Sequence, residues 1–227
     1  MSNAKARRRA RAAIVEFGLR MQDERLAYWT SGNLSVRVAG EPDHLIALSP
    51  TDVPYDSLEL DDVPLVRLDG TIVDGGLAPT SELPLHTLLY QRRPEIGAVV
   101  HTHSPAAMAM AGLDWTLPAF LTGLVLAAGG AVACAPYARP GSPELADAVE
   151  SALAGRGACF LRHHGLLALG ATLPRAFQAA TVTEGAADAY LRARAVGGVA
   201  DLPAQEVHWV GEAWRAQWTG EEIGTRG

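Results

Sequence analysis

The sequence predicts an α/β protein, a three-layer α/β/α arrangement around a central, mainly antiparallel sheet. Helix-period apolar stripes alternate with short period-two segments along the chain. The segment Val63–Val73 reads as a hairpin, two apolar-rich arms around a primed turn at Asp69-Gly70, which makes the sheet at least partly antiparallel. No internal repeat or low-complexity linker divides the 227 residues, so a single domain spanning 1–227 is expected. With 48% hydrophobic residues, such a chain buries a core without staples.

Between Lys5 and Leu26, the residues Ala12, Val15, Leu19, Met21 and Leu26 recur at mixed three- and four-residue intervals, which predicts an amphipathic helix. Its basic opening, Lys5-Ala-Arg-Arg-Arg-Ala-Arg11, is expected to be a solvated face, because Glu16 and Arg20 interrupt the apolar run that a targeting segment needs. A loop at Thr30-Ser-Gly-Asn33 precedes a strand in which Leu34, Val36 and Val38 alternate with Ser35 and Arg37. Within His44–Tyr55 a short buried strand runs into a proline-punctuated loop. After Gly75-Gly76, Ser81 is placed to cap a helix starting at Glu82; Leu85, Leu88 and Leu89 form its buried stripe and Pro94 ends it.

Ile96–His103 reads as a strand, and Ser104-Pro105 opens a helix through Met108 and Ala111. Ser142-Pro143 starts a helix over Glu144–Leu153, Ala158–Arg162 and Leu166–Leu169 are strands, and Pro174–Arg194 is a long alanine-rich helix. Residues 118–139 and the tail from Asp201 carry no clear period. Trp209, Trp214 and Trp218 in that tail are expected to pack against a neighbouring surface.

Composition narrows the function. A net charge of −6 and a pI near 5.6, with no basic stripe beyond the first eleven residues, argue against nucleic acid as the principal partner. The longest apolar stretch, Ala119–Ala135, is broken by Thr122, Gly123, Gly129 and Gly130, so no membrane span is expected. Cys134 and Cys159 sit in apolar surroundings and read as buried thiols of a reduced, cytoplasmic protein, with a disulfide left open.

The chemistry concentrates in two stretches, Pro79-Thr-Ser-Glu-Leu-Pro-Leu-His86 and Val99-Val-His-Thr-His103. On an extended segment His101 and His103 project from the same face, which suits either half of a metal site or a hydrogen-bonded core pair. His163 and His164 point opposite ways, so one of them is expected to join. Three imidazoles leave Zn²⁺ its full charge for polarising a substrate oxygen, with an open coordination position. Glu82 can ligate the ion, shuttle a proton, or merely favour the helix dipole. His86, one turn beyond Glu82, is expected to support or pack, and His44 and His208 to lie at the surface.

Ser31-Gly-Asn33, Ser49-Pro-Thr-Asp-Val-Pro-Tyr55, Pro79-Thr-Ser-Glu82, Val99-Val-His-Thr-His103, Cys134-Ala-Pro-Tyr137 and His163-His-Gly165 resemble, in order and spacing, the motifs of the class II aldolase/adducin family. The resemblance covers roughly Arg11–Arg194. It implies the α/β/α fold, a four-fold homotetramer with active sites between subunits, zinc on His101, His103 and His164, and Glu82 as catalytic acid/base. A phosphate pocket would map onto Gly32, Asn33, Thr51, Thr80 and Ser81, in a loop that also holds Asp52. Aldol cleavage of a small phosphorylated ketose, similar to fuculose 1-phosphate, to dihydroxyacetone phosphate and an aldehyde is the activity implied. Decarboxylation of a sugar-acid phosphate, 4-epimerisation of a pentulose phosphate, and a non-catalytic adducin-like module are the alternatives. Two departures stand out: Asp52 replaces the usual glycine and is expected to turn outward, and Pro118–Gly130 lacks the tyrosine the aldolases carry there.

Overall fold

The computed structural model describes residues 3–41 and 44–219, so the ends of the expected 1–227 domain lie outside them. Strands β1 (Asn33–Arg37), β2 (Ile46–Leu48), β3 (Leu65–Val66), β4 (Ile72–Asp74), β5 (Ala98–Thr102), β6 (Cys134–Ala135), β7 (Ala158–Leu161) and β8 (Gly165–Gly170) form a single sheet in the order β4-β3-β2-β1-β5-β8-β7-β6. Among the described residues, only β6 and β7 pair in parallel. The helices are α1 (Asn3–Asp23), α2 (Leu83–Arg92), α3 (Pro105–Leu113), α4 (Thr122–Ala128), α5 (Pro143–Leu153), α6 (Leu173–Val196) and α7 (Ala204–Thr219).

Period-two alternation sorts the strands' side chains between two cores. Leu34, Ala98, Val100, Leu166 and Ala168 pack with α1, α3 and α6, whereas Val99, Leu167 and Leu169 pack with Leu85 and Leu89 of α2 and Leu145 and Val149 of α5. That is the three-layer arrangement the sequence predicts. Each fully buried leucine contributes about 2 kcal/mol, so α2 is pinned to the sheet by residues that flank its polar face.

Several local details differ from the sequence expectation. The buried stripe of α1 is Ala6, Ala10, Ile14, Phe17 and Met21, while Leu19 is exposed. Arg11 is not solvated: its Nε–H donates to Val63 O and its guanidinium meets Asp74 at 2.9 Å. Between β3 and β4 the chain takes a longer loop than a primed turn, closed by Arg67 N–H on Thr71 O and Gly70 N–H on Arg67 O. Ser81 does not cap α2; Glu82 occupies that position without a side-chain cap bond, and Ser81 is exposed. Residues 118–139 supply α4 and β6. The tail forms α7, whose buried Val210 and Trp214, with Trp218 packed edge-on against Trp214, follow a four-residue spacing that the intervening polar residues obscure. Trp209 is exposed.

Candidate metal centre and its flanking pocket

The centre lies where β1, β5 and β8 end beneath the N-terminus of α2. Register sets Asn33 opposite His101, and His101 opposite Leu167, so the central strands deliver their polar residues to one place. His101 is fully buried at the end of β5 and its Nδ1–H donates to Leu166 O at 2.9 Å, which turns a lone pair on Nε2 toward the other histidines. His103 follows the strand, tied by its N–H to Leu26 O at 3.0 Å, and the helix after it is anchored by Glu184, whose carboxylate accepts from the Ala106 and Ala107 N–H groups at 2.8 Å. His164 comes from the tight turn between β7 and β8. There His163 takes a left-handed φ of 56°, and the Arg162–Asp114 ion pair at 2.9 Å ties the turn to the end of α3.

The three Nε2 atoms converge. His101 Nε2 lies 2.9 Å from His103 Nε2 and 3.2 Å from His164 Nε2. Glu82 Oε2 is 3.3 Å from His101 Nε2, and Glu82 Oε1 is 3.7 Å from His164 Nε2. Burial, then the neighbouring imidazoles, push the pKa of His101 well below its ordinary value; burial and His164 lower that of His103. Both stay neutral, which is the ligand form. Glu82 is itself buried and its Oε1 has no hydrogen-bond partner. Three imidazole nitrogens converging beside a buried carboxylate are what a divalent cation would satisfy. Among the described residues, His101, His103 and His164 are the one group so placed, their ligand atoms all within 4.8 Å.

Two glycines make room. A Cβ on Gly165 would sit 2.3 Å from Thr102 O and 3.0 Å from His103 Cδ2, so only glycine lets β8 approach β5 beside the imidazole. Gly32, at φ +73°, would place a Cβ 2.9 Å from His101 O.

Facing the centre is a cleft of about 160 Å³ whose lining includes Gly32, Asn33, Thr51, Asp52, Thr80 and Ser81, together with Glu82, His103 and His164. The fold therefore brings these residues to one place beside His101. Loop pairing consumes the N–H groups of Thr51 and Thr80, which donate to Ala78 O and Ser49 O, and the Thr80 hydroxyl accepts from the Glu82 N–H at 3.4 Å. Asp52 adopts a φ of 54° and is exposed; the backbone there needs the left-handed conformation that glycine, or less easily aspartate, can adopt. His44, His163 and His208 lie at the surface, outside the cluster. A larger cleft of about 860 Å³, lined by Ala10, Phe17, Val36 and Leu173 among others, holds no such convergence.

Residues 12–191 match the family described as Class II Aldolase and Adducin N-terminal domain. The chain belongs to this family. Among class II aldolase/adducin proteins it is 37% identical over 197 residues to the 5-deoxy-D-ribulose 1-phosphate aldolase of Bacillus thuringiensis, covering 87% of this chain and 91% of the relative. It is 35% identical over 183 residues to the L-fuculose phosphate aldolase of Escherichia coli K12, covering 81% and 83%. A solved L-fuculose 1-phosphate aldolase superposes with a TM-score of 0.85 at 30% identity, covering 91% of this chain and 96% of the other. Among the described residues no helix is long and apolar enough to cross a membrane.

Ser35 and Tyr90 were not singled out in the sequence, although both belong to the polar chain behind Glu82. Their signal was present: Glu82, His86 and Tyr90 are spaced by four on a helix, and Asn33 and Ser35 by two on a strand.

Proposed function

We propose that this protein is a zinc-dependent carbon–carbon lyase that cleaves a small ketose 1-phosphate to dihydroxyacetone phosphate and an aldehyde. One observation carries the reading: three imidazole nitrogens converge beside the buried carboxylate of Glu82 at the wall of a polar cleft. The names of the relatives, aldolases of 5-deoxy-D-ribulose 1-phosphate and of L-fuculose phosphate, support the substrate class. In this reading His101, His103 and His164 hold the metal, and Gly32, Asn33, Thr51, Asp52, Thr80 and Ser81 surround the phosphate-bearing end. Family membership extends it to a homotetramer with sites between subunits, and the two free cysteines accord with a reducing cytoplasm.

Held by His101, His103 and His164, a zinc ion would supply Lewis-acid polarisation of a substrate oxygen. The chain's own groups do the rest. Hydroxyls of Thr51, Thr80 and Ser81, with the N-terminus of α2, bind an anion without a lysine or arginine. Bond cleavage releases a hydroxyl proton as the aldehyde forms and requires a proton on the carbon left behind; Glu82, beside both, carries it.

Metal analysis of the purified protein is expected to find about one zinc per chain, and a screen of ketose 1-phosphates and sugar-acid phosphates to release dihydroxyacetone phosphate. Glu82→Gln keeps fold and metal but loses about 10²- to 10⁴-fold in kcat. Near-normal turnover in that variant would falsify the role given to Glu82; carbon dioxide as the product would replace aldol cleavage with decarboxylation.

A further inference from the structure

Behind Glu82 runs a buried chain of hydrogen bonds built from two interleaved ladders. Glu82, His86 and Tyr90 recur every four residues at and along α2, a rise of about 6 Å. Asn33 and Ser35 recur every two residues on β1, a rise of about 6.6 Å. The near match lets strand residues slot between helix residues. Asn33 Nδ2 donates to Glu82 Oε2 at 2.9 Å, and His86 Nε2 lies 2.6 Å from Asn33 Oδ1. Ser35 Oγ lies 2.7 Å from His86 Nδ1 and 3.0 Å from Tyr90 Oη.

The direction of every bond follows from the Asn33 amide nitrogen donating to Glu82. With its nitrogen so placed, Asn33 turns its carbonyl to His86. The His86 proton therefore sits on Nε2, its Nδ1 accepts from Ser35, and Ser35 accepts from Tyr90. Burial keeps His86 neutral by lowering its pKa to about 4, which preserves this pattern. An amide cannot relay a proton at neutral pH, so the chain is no proton wire. Its effect is to hold Glu82 through Oε2 and fix the carboxylate, whose buried Oε1 accepts no hydrogen bond.

We infer that Asn33 and His86 are positioning residues, which hold the Glu82 carboxylate through Oε2 and so fix the orientation in which it acts. The inference rests on Glu82 being the proton carrier. Ser35 fixes the tautomer of His86; Tyr90 only completes Ser35's shell. Influence on turnover must then decay along the chain, whereas a packing role would make the largest buried side chain, Tyr90, matter most.

The test compares kcat, KM, metal content and thermal midpoint for His86→Leu, His86→Gln, Ser35→Ala and Tyr90→Phe with zinc-loaded parent enzyme and the ketose 1-phosphate it cleaves. His86→Leu should lower kcat about 30-fold with KM and zinc content little changed, Ser35→Ala about 5-fold, and Tyr90→Phe by under about 2-fold. His86→Gln, whose amide N–H can still reach Asn33 Oδ1, should recover most of the loss. Equal impairment of His86→Leu and His86→Gln, or a kcat loss that ranks with side-chain volume, overturns the inference. If His86→Leu does not fold, His86→Gln at near-parental kcat with Ser35→Ala reduced supports it, and Ser35→Ala at parental kcat sinks it. Loss of turnover in Glu82→Gln with none in His86→Leu refutes the positioning role alone; full turnover in Glu82→Gln refutes the proton carrier first.

Discussion

His86 and His101 are both fully buried, both kept neutral chiefly by burial, and both tied to Glu82, His101 directly and His86 through Asn33, yet they do opposite work. His86 has a hydrogen-bond partner on each ring nitrogen, Asn33 on one and Ser35 on the other. His101 has Leu166 O on Nδ1, while Nε2 faces two imidazoles and a carboxylate. Burial and a lowered pKa therefore do not distinguish a ligand from a support. The distinguishing feature is a ring nitrogen whose surroundings offer only lone pairs, which a cation would satisfy.

Removing each histidine in turn is the most direct way to break the comparison. His101→Ala should abolish metal retention and cut kcat by about three orders of magnitude, since a Lewis acid supplies several kcal/mol of transition-state stabilisation. Retained zinc in that variant, measured by metal analysis after gel filtration, would place the ion elsewhere.

Proton linkage sharpens the same contrast in chelated protein. The pKa of His86 drops from 6.5 to about 4 on folding, so between those values the unfolded chain binds the extra proton. Stability from this group is complete above the upper value and is lost as pH falls through the window, by about 3 kcal/mol in all. Denaturant titrations from pH 7 to pH 4 should show a shallower decline for His86→Gln than for the parent. Parallel declines would mean that His86 is not neutral in the fold.

Gly165→Ala probes the ligand wall through its backbone. The added methyl would press on Thr102 O and the His103 ring, and should cost about 1–3 kcal/mol in stability as overpacking, together with some metal affinity. Unchanged thermal unfolding would show that β8 can draw back from β5 at no cost.

The smallest effect belongs to the rim. Asp52→Gly suits the left-handed backbone and should change stability by under about 1 kcal/mol, leaving or improving KM for phosphorylated substrates. A clear rise in KM, with inorganic phosphate failing to inhibit the parent, would mean that Asp52 contacts substrate.

Much of the site was visible before folding is considered because each piece has a local signature. His101 and His103 fall two apart on a strand, Glu82 opens a proline-marked helix, and His163-His-Gly165 sits between two apolar strands. The hairpin turn, the α1 stripe and the α7 helix differ from the sequence pattern for local reasons. Near-equivalent apolar residues compete for a helix's buried side, and exposed aromatic and charged residues in 204–219 mask a four-residue spacing.

By itself the sequence determined the periodicities, and with them the elements and the chemical identity of the donors. Tertiary structure decided which donors meet. Residues 33, 82, 101 and 164 converge because β1, β5 and β8 are neighbours in the sheet and α2 packs across their ends, contacts between segments up to 131 positions apart in the numbering that no local pattern encodes. The same packing chose His164 over His163, through a left-handed turn residue held against α3, and turned the Asn33 amide inward to Glu82. A side chain's type sets what bonds it can make; only the surrounding fold fixes which of those bonds are satisfied and which atom is left to react.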